Sequence, residues 1–239
     1  MIKKLLPLLA LLLLAAACHP YKVLRYEDDI AMPLADDSAD SLLMSLSLEY
    51  LGGGKAEVRD AINAHLVAQA FDLESTEATL EDCAIRYREN LIDEYLTEDQ
   101  VGPGTWEDRL DGAFTQDWKG WKNYSLSYFS YRGGAHGIMT VSQLVFDART
   151  GALLSEGDFF REGYQGPVTE LLKAAVRQDL AQDPELQQLI DPDLVVPNGN
   201  FSVDEKGLTW VFQPYEIGPY ALGLVSATVS WEELSPYLK

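Results

Sequence analysis

Residues 128–146 read YFSYRGGAHGIMTVSQLVF. Apolar and polar residues alternate on both sides of a glycine-rich centre, as in two strands joined by a wide turn. Gly133, Gly134 and Gly137 allow the turn positive φ or close backbone approach. His136 stands at its tip. A chain with three histidines that places one there admits two readings, a catalytic or metal-binding loop and a sharp turn with an incidental imidazole. No carboxylate spacing accompanies His136, and a three-histidine zinc centre would need His19, His65 and His136 to converge from a tether, a helix and a hairpin. No metal centre and no cofactor is read.

Downstream, the segment from Asp147 to Gly151 has the form of a chain reversal, and GPVTELLKAAVRQDLAQ follows with Pro167 near a helix start. Val168, Leu171, Leu172, Ala175, Val176 and Leu180 form the inward stripe of that helix. NFSVDEKG and LTWVFQPYE read as strands joined at Glu205-Lys206-Gly207, and LGLVSATVSW adds another. Strands outnumber helices here, so the fold class is α+β, with an antiparallel sheet in the C-terminal half covered by one long helix.

Upstream, LLMSLSLEYLGGG alternates and stops at glycines, predicting a first strand around Leu42 to Leu48. Val58, Ile62, Leu66 and Ala70 are spaced four apart on one helix, with His65 beside the stripe. Leu80, Ala84, Tyr87, Leu91 and Tyr95 mark a second helix, in which Cys83 reads as a buried structural thiol. Trp106, Phe114, Trp118 and Trp121 fall in a connection after it, where aromatics either close a core edge or stack on sugar. Residues 41–123 thus read as a smaller helix-containing N-terminal region and 124–239 as a C-terminal domain. Residues 18–40 read as an acidic tether, although YKVLRYED has enough alternation for an edge strand.

The first seventeen residues carry Lys3, Lys4 and an apolar run from Leu5 to Ala17, the outline of an export signal too short for a typical membrane span. Ala15-Ala16-Ala17-Cys18 resembles the lipobox of bacterial lipoproteins, with Ala15 where leucine is usual. The resemblance implies cleavage before Cys18, lipid (palmitate among it) on the new terminus, and a membrane anchor. His19 in place of aspartate after the cysteine resembles the enterobacterial signal for the outer membrane. The expected address is therefore the cell envelope of a Gram-negative bacterium. The formal net charge of −20 repels nucleic acid and favours either solubility or a basic partner.

The elements Gly133-Gly134-Ala135-His136-Gly137, Asp147 to Gly151 with Asp158-Phe159-Phe160, and Tyr215-Glu216-Ile217 leading to Pro219-Tyr220-Ala221 and Gly223 resemble, over residues 124–234, the C-terminal domain of the RsiV-like family, a domain of unknown function. Residues 41–123 resemble its companion N-terminal domain less closely. The family includes a lysozyme-binding anti-sigma factor, accessory regions of peptidoglycan deacetylases and many Bacteroidetes lipoproteins. The catalytic and sigma-binding parts of those proteins have no counterpart here. The resemblance therefore implies a non-catalytic lipoprotein that binds a macromolecule, either a basic hydrolase such as lysozyme or peptidoglycan. His136, Arg132, Tyr215, Glu216 and Tyr220 are the candidate binding residues, and Gly133, Gly134 and Gly137 form the structural turn. The alternative is a hydrolase acting on a cell-wall or glycan substrate, for which His136, Tyr215 and Glu216 are the nearest acid–base groups.

The lipobox resemblance predicts a mature protein that begins at a diacylglyceryl-modified Cys18. Mass spectrometry of the native N-terminus checks this, and an unmodified Cys18 or a terminus further downstream refutes it.

Overall fold

Leu42, Met44, Leu46 and Leu48 alternate along β2 (Ser41–Gly53), and all four are buried. That period-2 pattern turns one strand face towards two helices, α1 (Ala56–Ala70) and α2 (Leu80–Thr97), whose Val58, Ile62, Leu66, Ala84, Leu91 and Tyr95 complete the first core. The computed structural model describes residues 21–33, 40–73, 79–97 and 104–239. The export leader, Cys18 and His19 lie outside the described residues. Among the described residues no helix is long and apolar enough to cross a membrane.

Residues 21–33, expected within a tether, form strand β1 (Tyr21–Pro33), antiparallel to β2 from Tyr21↔Gly53 to Pro33↔Ser41. The acidic pairs had masked its apolar positions. Tyr26, Ile30 and Met32 pack against the first core, and Asp28, at the intervening position, meets Arg88 of α2 at 3.1 Å. On the other side, Arg25 reaches Glu49 of β2 at 2.7 Å.

Residues 104–121 are also more ordered than a connection. The expected connection contains strand β3 (Trp106–Phe114), which runs parallel to β2, with α1 and α2 forming the crossover that a parallel pair requires. Its inward positions are Trp106, Asp108, Leu110 and Gly112, and a carboxylate and a glycine among them break the apolar alternation that announces a strand. The four aromatics also separate. Trp106 packs on Tyr95 and Phe114 on Tyr124 in the first core. Trp118 stacks on Trp231, with ring centroids 4.9 Å apart, and Trp121 packs on Phe159 at the edge of the second core.

Strands β4 (Trp121–Tyr131) and β5 (Ile138–Asp147) form the anticipated hairpin, but they complete the five-stranded sheet β1-β2-β3-β4-β5. A boundary at 123/124 would therefore cut β4. Alternation reveals a strand without revealing its sheet, and here the hairpin pairs with β3. The reversal after β5 is held by the Asp147 carboxylate, which accepts the N–H groups of Arg149 and Thr150 at 2.7 and 2.9 Å. Burial favours its neutral form, but those two bonds together with the Arg149 charge and the Thr150 side chain outweigh that and lower its pKa. Gly151 follows with φ +79°, and a side chain there would press on the Val58 carbonyl of α1.

The remaining strands, β6 (Phe201–Val203), β7 (Gly207–Phe212) and β8 (Val225–Ser230), form a three-stranded antiparallel sheet. Two short helices, α3 (Glu156–Phe159) and α5 (Pro184–Gln188), flank the longer α4 (Gln165–Asp179), and α6 (Trp231–Leu234) follows β8. Val168, Leu172 and Val176 of α4 share the second core with Phe160, Phe201, Trp210 and Phe212. Buried Glu156 accepts the Trp210 indole N–H at 2.8 Å, the Gly199 N–H at 2.9 Å and the Tyr164 hydroxyl at 2.7 Å, so its carboxylate is fully engaged.

Side-chain amides fasten the two sheets together. Asn123 of β4 accepts the Val203 N–H at 2.8 Å and donates to the Val203 carbonyl at 2.9 Å, taking the place of a neighbouring strand. Asn63 does the same for Leu51 between α1 and β2, both bonds being 2.9 Å. Replacing Asn123 with Leu strands a buried donor and acceptor, each costing about 1–3 kcal/mol. Denaturant titration should show Asn123→Leu to be more destabilising than Asn63→Leu, whose site is only half-buried; equal losses would mean that the seam carries no special burden.

Candidate functional site

The hairpin turn and the loop after β7 meet at a set of aromatic rings. Gly133 and Gly134 have φ of +88° and +99°, with nothing near where a side chain would project, so their demand is purely one of backbone geometry. Gly137 serves by close approach instead, since a Cβ there would lie 2.5 Å from the Phe129 ring. The turn delivers the His136 ring flat onto Tyr220, with centroids 3.7 Å apart and planes at 15°. Tyr220 lies in a 3₁₀ turn (Tyr220–Leu222), and its hydroxyl donates to the Gly137 carbonyl at 2.8 Å. His136 Nδ1 lies 3.0 Å from that same carbonyl, and its Nε2 lies 3.3 Å from the Tyr215 hydroxyl. One tautomer satisfies both contacts, with Nδ1–H donating and Nε2 accepting.

Tyr215 is 62% exposed and adopts φ +71°, an uncommon backbone for a bulky residue. Its turn is fixed from behind. Glu216 Oε2 accepts the Gln213 N–H at 2.6 Å, the Glu216 N–H returns to the Gln213 carbonyl at 3.0 Å, and Glu216 Oε1 accepts the Asn198 amide at 2.7 Å. Both carboxylate oxygens thus hold the loop that presents Tyr215.

Arg132, two residues before Gly134, belongs to a different cluster. It donates to both oxygens of Asp108, at 2.9 and 2.6 Å, and lies 4.7 Å from the centroid of the Trp106 ring. Asp108 is only 1% exposed and also accepts the hydroxyls of Tyr87 and Tyr128, at 2.9 and 3.1 Å. Burial opposes the Arg132 charge, but its bonds to Asp108 and the charge of Asp108 outweigh that and raise its pKa. Burial and the Asp108 charge likewise push the Tyr87 phenol far above its ordinary value, keeping it a donor. The structure therefore gathers His136, Tyr215 and Tyr220, places Glu216 as their support, and uses Arg132 to root the hairpin. Among the described residues no group of three or more His, Cys, Asp or Glu converges as metal ligands; His65 packs near Phe146, away from the turn.

Residues that the sequence reading passed over complete the setting. Asn200 accepts the Gln143 N–H at 2.7 Å and donates to the Val141 carbonyl at 2.9 Å. Gln213 accepts the Val141 N–H at 3.0 Å and donates to the Val141 carbonyl at 2.6 Å. The only outward sign of this capping was Asn198-Gly199-Asn200 before a strand, which reads as a plain loop.

Backbone geometry makes the turn more sensitive to its glycines than to its imidazole. Gly134→Val forces a β-branched residue to φ +99°, a strain of about 1–3 kcal/mol, whereas His136→Gln loses exposed contacts alone. Denaturant titration should rank Gly134→Val as clearly the more destabilising, and equal small losses would remove the requirement for glycine.

Residues 157–232 match the model of a family described as "Protein of unknown function (DUF3298)". That segment begins after the hairpin and contains the Tyr215–Gly223 loop. No curated protein matches the chain. Among solved structures, a DUF3298 family member from Bacteroides fragilis is 21% identical and superposes with a TM-score of 0.82, covering 93% of this chain and 95% of that one. A DUF3298 family protein from Pseudomonas aeruginosa is 17% identical, with a TM-score of 0.69, covering 92% and 95%. The mixed α/β architecture of two sheets is thus the fold of DUF3298 family proteins, and residues 157–232 carry that family's sequence pattern.

Proposed function

We propose that the protein is a lipid-anchored lipoprotein of the cell envelope that binds a macromolecule without chemically altering it, through the surface formed by the hairpin tip and the Tyr215–Gly223 loop. The observation that carries this reading is the exposed Tyr215 ring, stationed beside His136 and Tyr220 by a backbone held at positive φ. Strain retained to display an exposed aromatic has a use in recognition and none in packing. The RsiV-like name and the companion N-terminal domain belong to the same proposal.

A basic protein such as lysozyme suits the net charge of −20 better than an anionic polymer does, because opposite charges speed encounter. Peptidoglycan is the other candidate. Glu216 has no free role as an acid or base while both its oxygens hold the loop, which favours binding over hydrolysis.

Tyr215→Gly removes the ring and relieves the backbone at once, so the variant should fold at least as stably as the parent. Isothermal titration of the mature protein with lysozyme and with soluble peptidoglycan fragments, at 0.1 M and 1 M salt, tests the reading, since the screening length falls from about 10 Å to about 3 Å. Lysozyme binding that weakens with salt and drops about tenfold or more in Tyr215→Gly supports a basic partner. Salt-insensitive binding of the fragments points to the wall. Undiminished binding by the variant, or turnover of a wall substrate, overturns the proposal.

A further inference from the structure

Behind the Tyr215 loop, two cavities meet on the sheet. The smaller, about 370 Å³, opens where α1 ends. Leu110 and Leu126 form its floor, and Phe71, Tyr87 and Tyr128 stand around it. The larger, about 550 Å³, lies beside β5 and is bordered by Gln143, Asn198, Asn200, Gln213 and Glu216. Gln69 and Ser142 line both cavities. Their mutual contact, Gln69 Nε2 to Ser142 Oγ, is 3.5 Å, at the outer limit of a hydrogen bond, so both groups can turn to a ligand.

The chemistry of this trough is selective. Among the described residues no Lys, Arg or His lines either chamber, whereas Asp72 lines the smaller and Glu216 the larger, which disfavours phosphate, sulfate or uronate ligands. A peptide strand finds no edge to extend, because the Val141 N–H and carbonyl and the Gln143 N–H of β5 are already taken by Gln213 and Asn200. Glu216 is held by Gln213 and Asn198, so besides the Asp72 carboxylate, itself an acceptor for sugar hydroxyls, what remains for a ligand is neutral: the Gln69 amide, the Thr140 and Ser142 hydroxyls, and the second Nε2 hydrogen of Gln213. At the other end the Tyr87 and Tyr128 hydroxyls are tied to Asp108, which fixes their rings beside the apolar floor. Fixed aromatic rings beside neutral donors and acceptors match the two aspects of a pyranose, its C–H face and its hydroxyl rim.

We propose that the two chambers form one binding site for a neutral oligosaccharide. One sugar ring lies among Phe71, Tyr87 and Tyr128, and the next is hydrogen-bonded at Gln69, Ser142 and Gln213. The trough borders the back of the Tyr215 loop through Gln213 and Glu216 but includes none of the rings of the hairpin surface, and the assignment stands whether or not that surface binds a macromolecule.

Isothermal titration and amide-resonance titration of the mature protein with chitotriose and cellotriose as neutral probes, and trigalacturonate as an anionic one, test the assignment. At least one neutral trisaccharide should bind, with an affinity changed less than about twofold between 0.1 M and 1 M salt. Ser142→Trp, which fills the junction, should weaken it by about tenfold or more, a change of 1.4 kcal/mol. Gln69→Ala, at an exposed position that leaves folding intact, should weaken it by about threefold or more. Tyr215→Gly should leave it unchanged. The assignment is overturned if neither neutral sugar binds, if trigalacturonate binds more tightly, if both trough variants bind as the parent does, or if the loss appears in Tyr215→Gly instead.

Discussion

The union of two separately closed sheets rests on side-chain amides that complete the hydrogen bonding of backbone peptides. A peptide unit offers one donor and one acceptor, and a buried one must find partners for both. Asn and Gln carry the complementary pair on a short stem. Asn123 serves Val203 in this way, while Gln213 and Asn200 share the N–H and carbonyl of Val141 and the N–H of Gln143. The β5 edge is thereby finished without a sixth strand, and the same bonds join it to the loops that flank β6 and β7. Capping of this kind also removes an edge that would otherwise pair with another chain.

A second buried polar group sets the hairpin. Asp108 points inward from β3, where an apolar residue would be the ordinary choice, and a lone carboxylate there would be costly. Arg132 neutralises it with two bonds, and Tyr87 and Tyr128 supply two more. Arg132 is the last residue before the glycine turn, so this satisfied cluster also fixes the point from which the turn departs. The route from Asp108 to the exposed ring of Tyr215 passes through Arg132, Gly133-Gly134 and His136, with a bond or a defined backbone at each step.

Elements that bury one regular face were legible in the sequence. Val58, Ile62 and Leu66 of α1, and Val168, Leu172 and Val176 of α4, are both periodic and buried. The glycine turn and the reversal at Asp147–Gly151 were legible because their chemistry is local. β3 was not, and β1 only through the edge-strand alternation of YKVLRYED, since each places an acid, Asp28 or Asp108, at an inward position where a distant arginine neutralises it. The sheet to which β4 and β5 belong was equally hidden, because pairing partners leave no trace in a strand's own alternation. At the site, His136, Tyr215 and Tyr220 were found as residues, while the supporting amides Asn198, Asn200 and Gln213 had no periodic signature to mark them.

The geometry couples the aromatic platform to the seam. His136 hangs from the five-stranded sheet, whereas Tyr215 and Tyr220 belong to the loop of the three-stranded body, yet their rings meet through a 3.7 Å stack and a shared carbonyl at Gly137. A separation of the two bodies at β5 would take Gln213 from Val141 and, with it, the turn that Glu216 holds for Tyr215. The platform therefore exists only while the amide seam is closed. A ligand that grips both loops binds the joined form alone, and by mass action its binding energy adds to the stability of the seam. The amides that finish the edge of a sheet are in this sense also part of the recognition surface, although none of them needs to touch what is recognised.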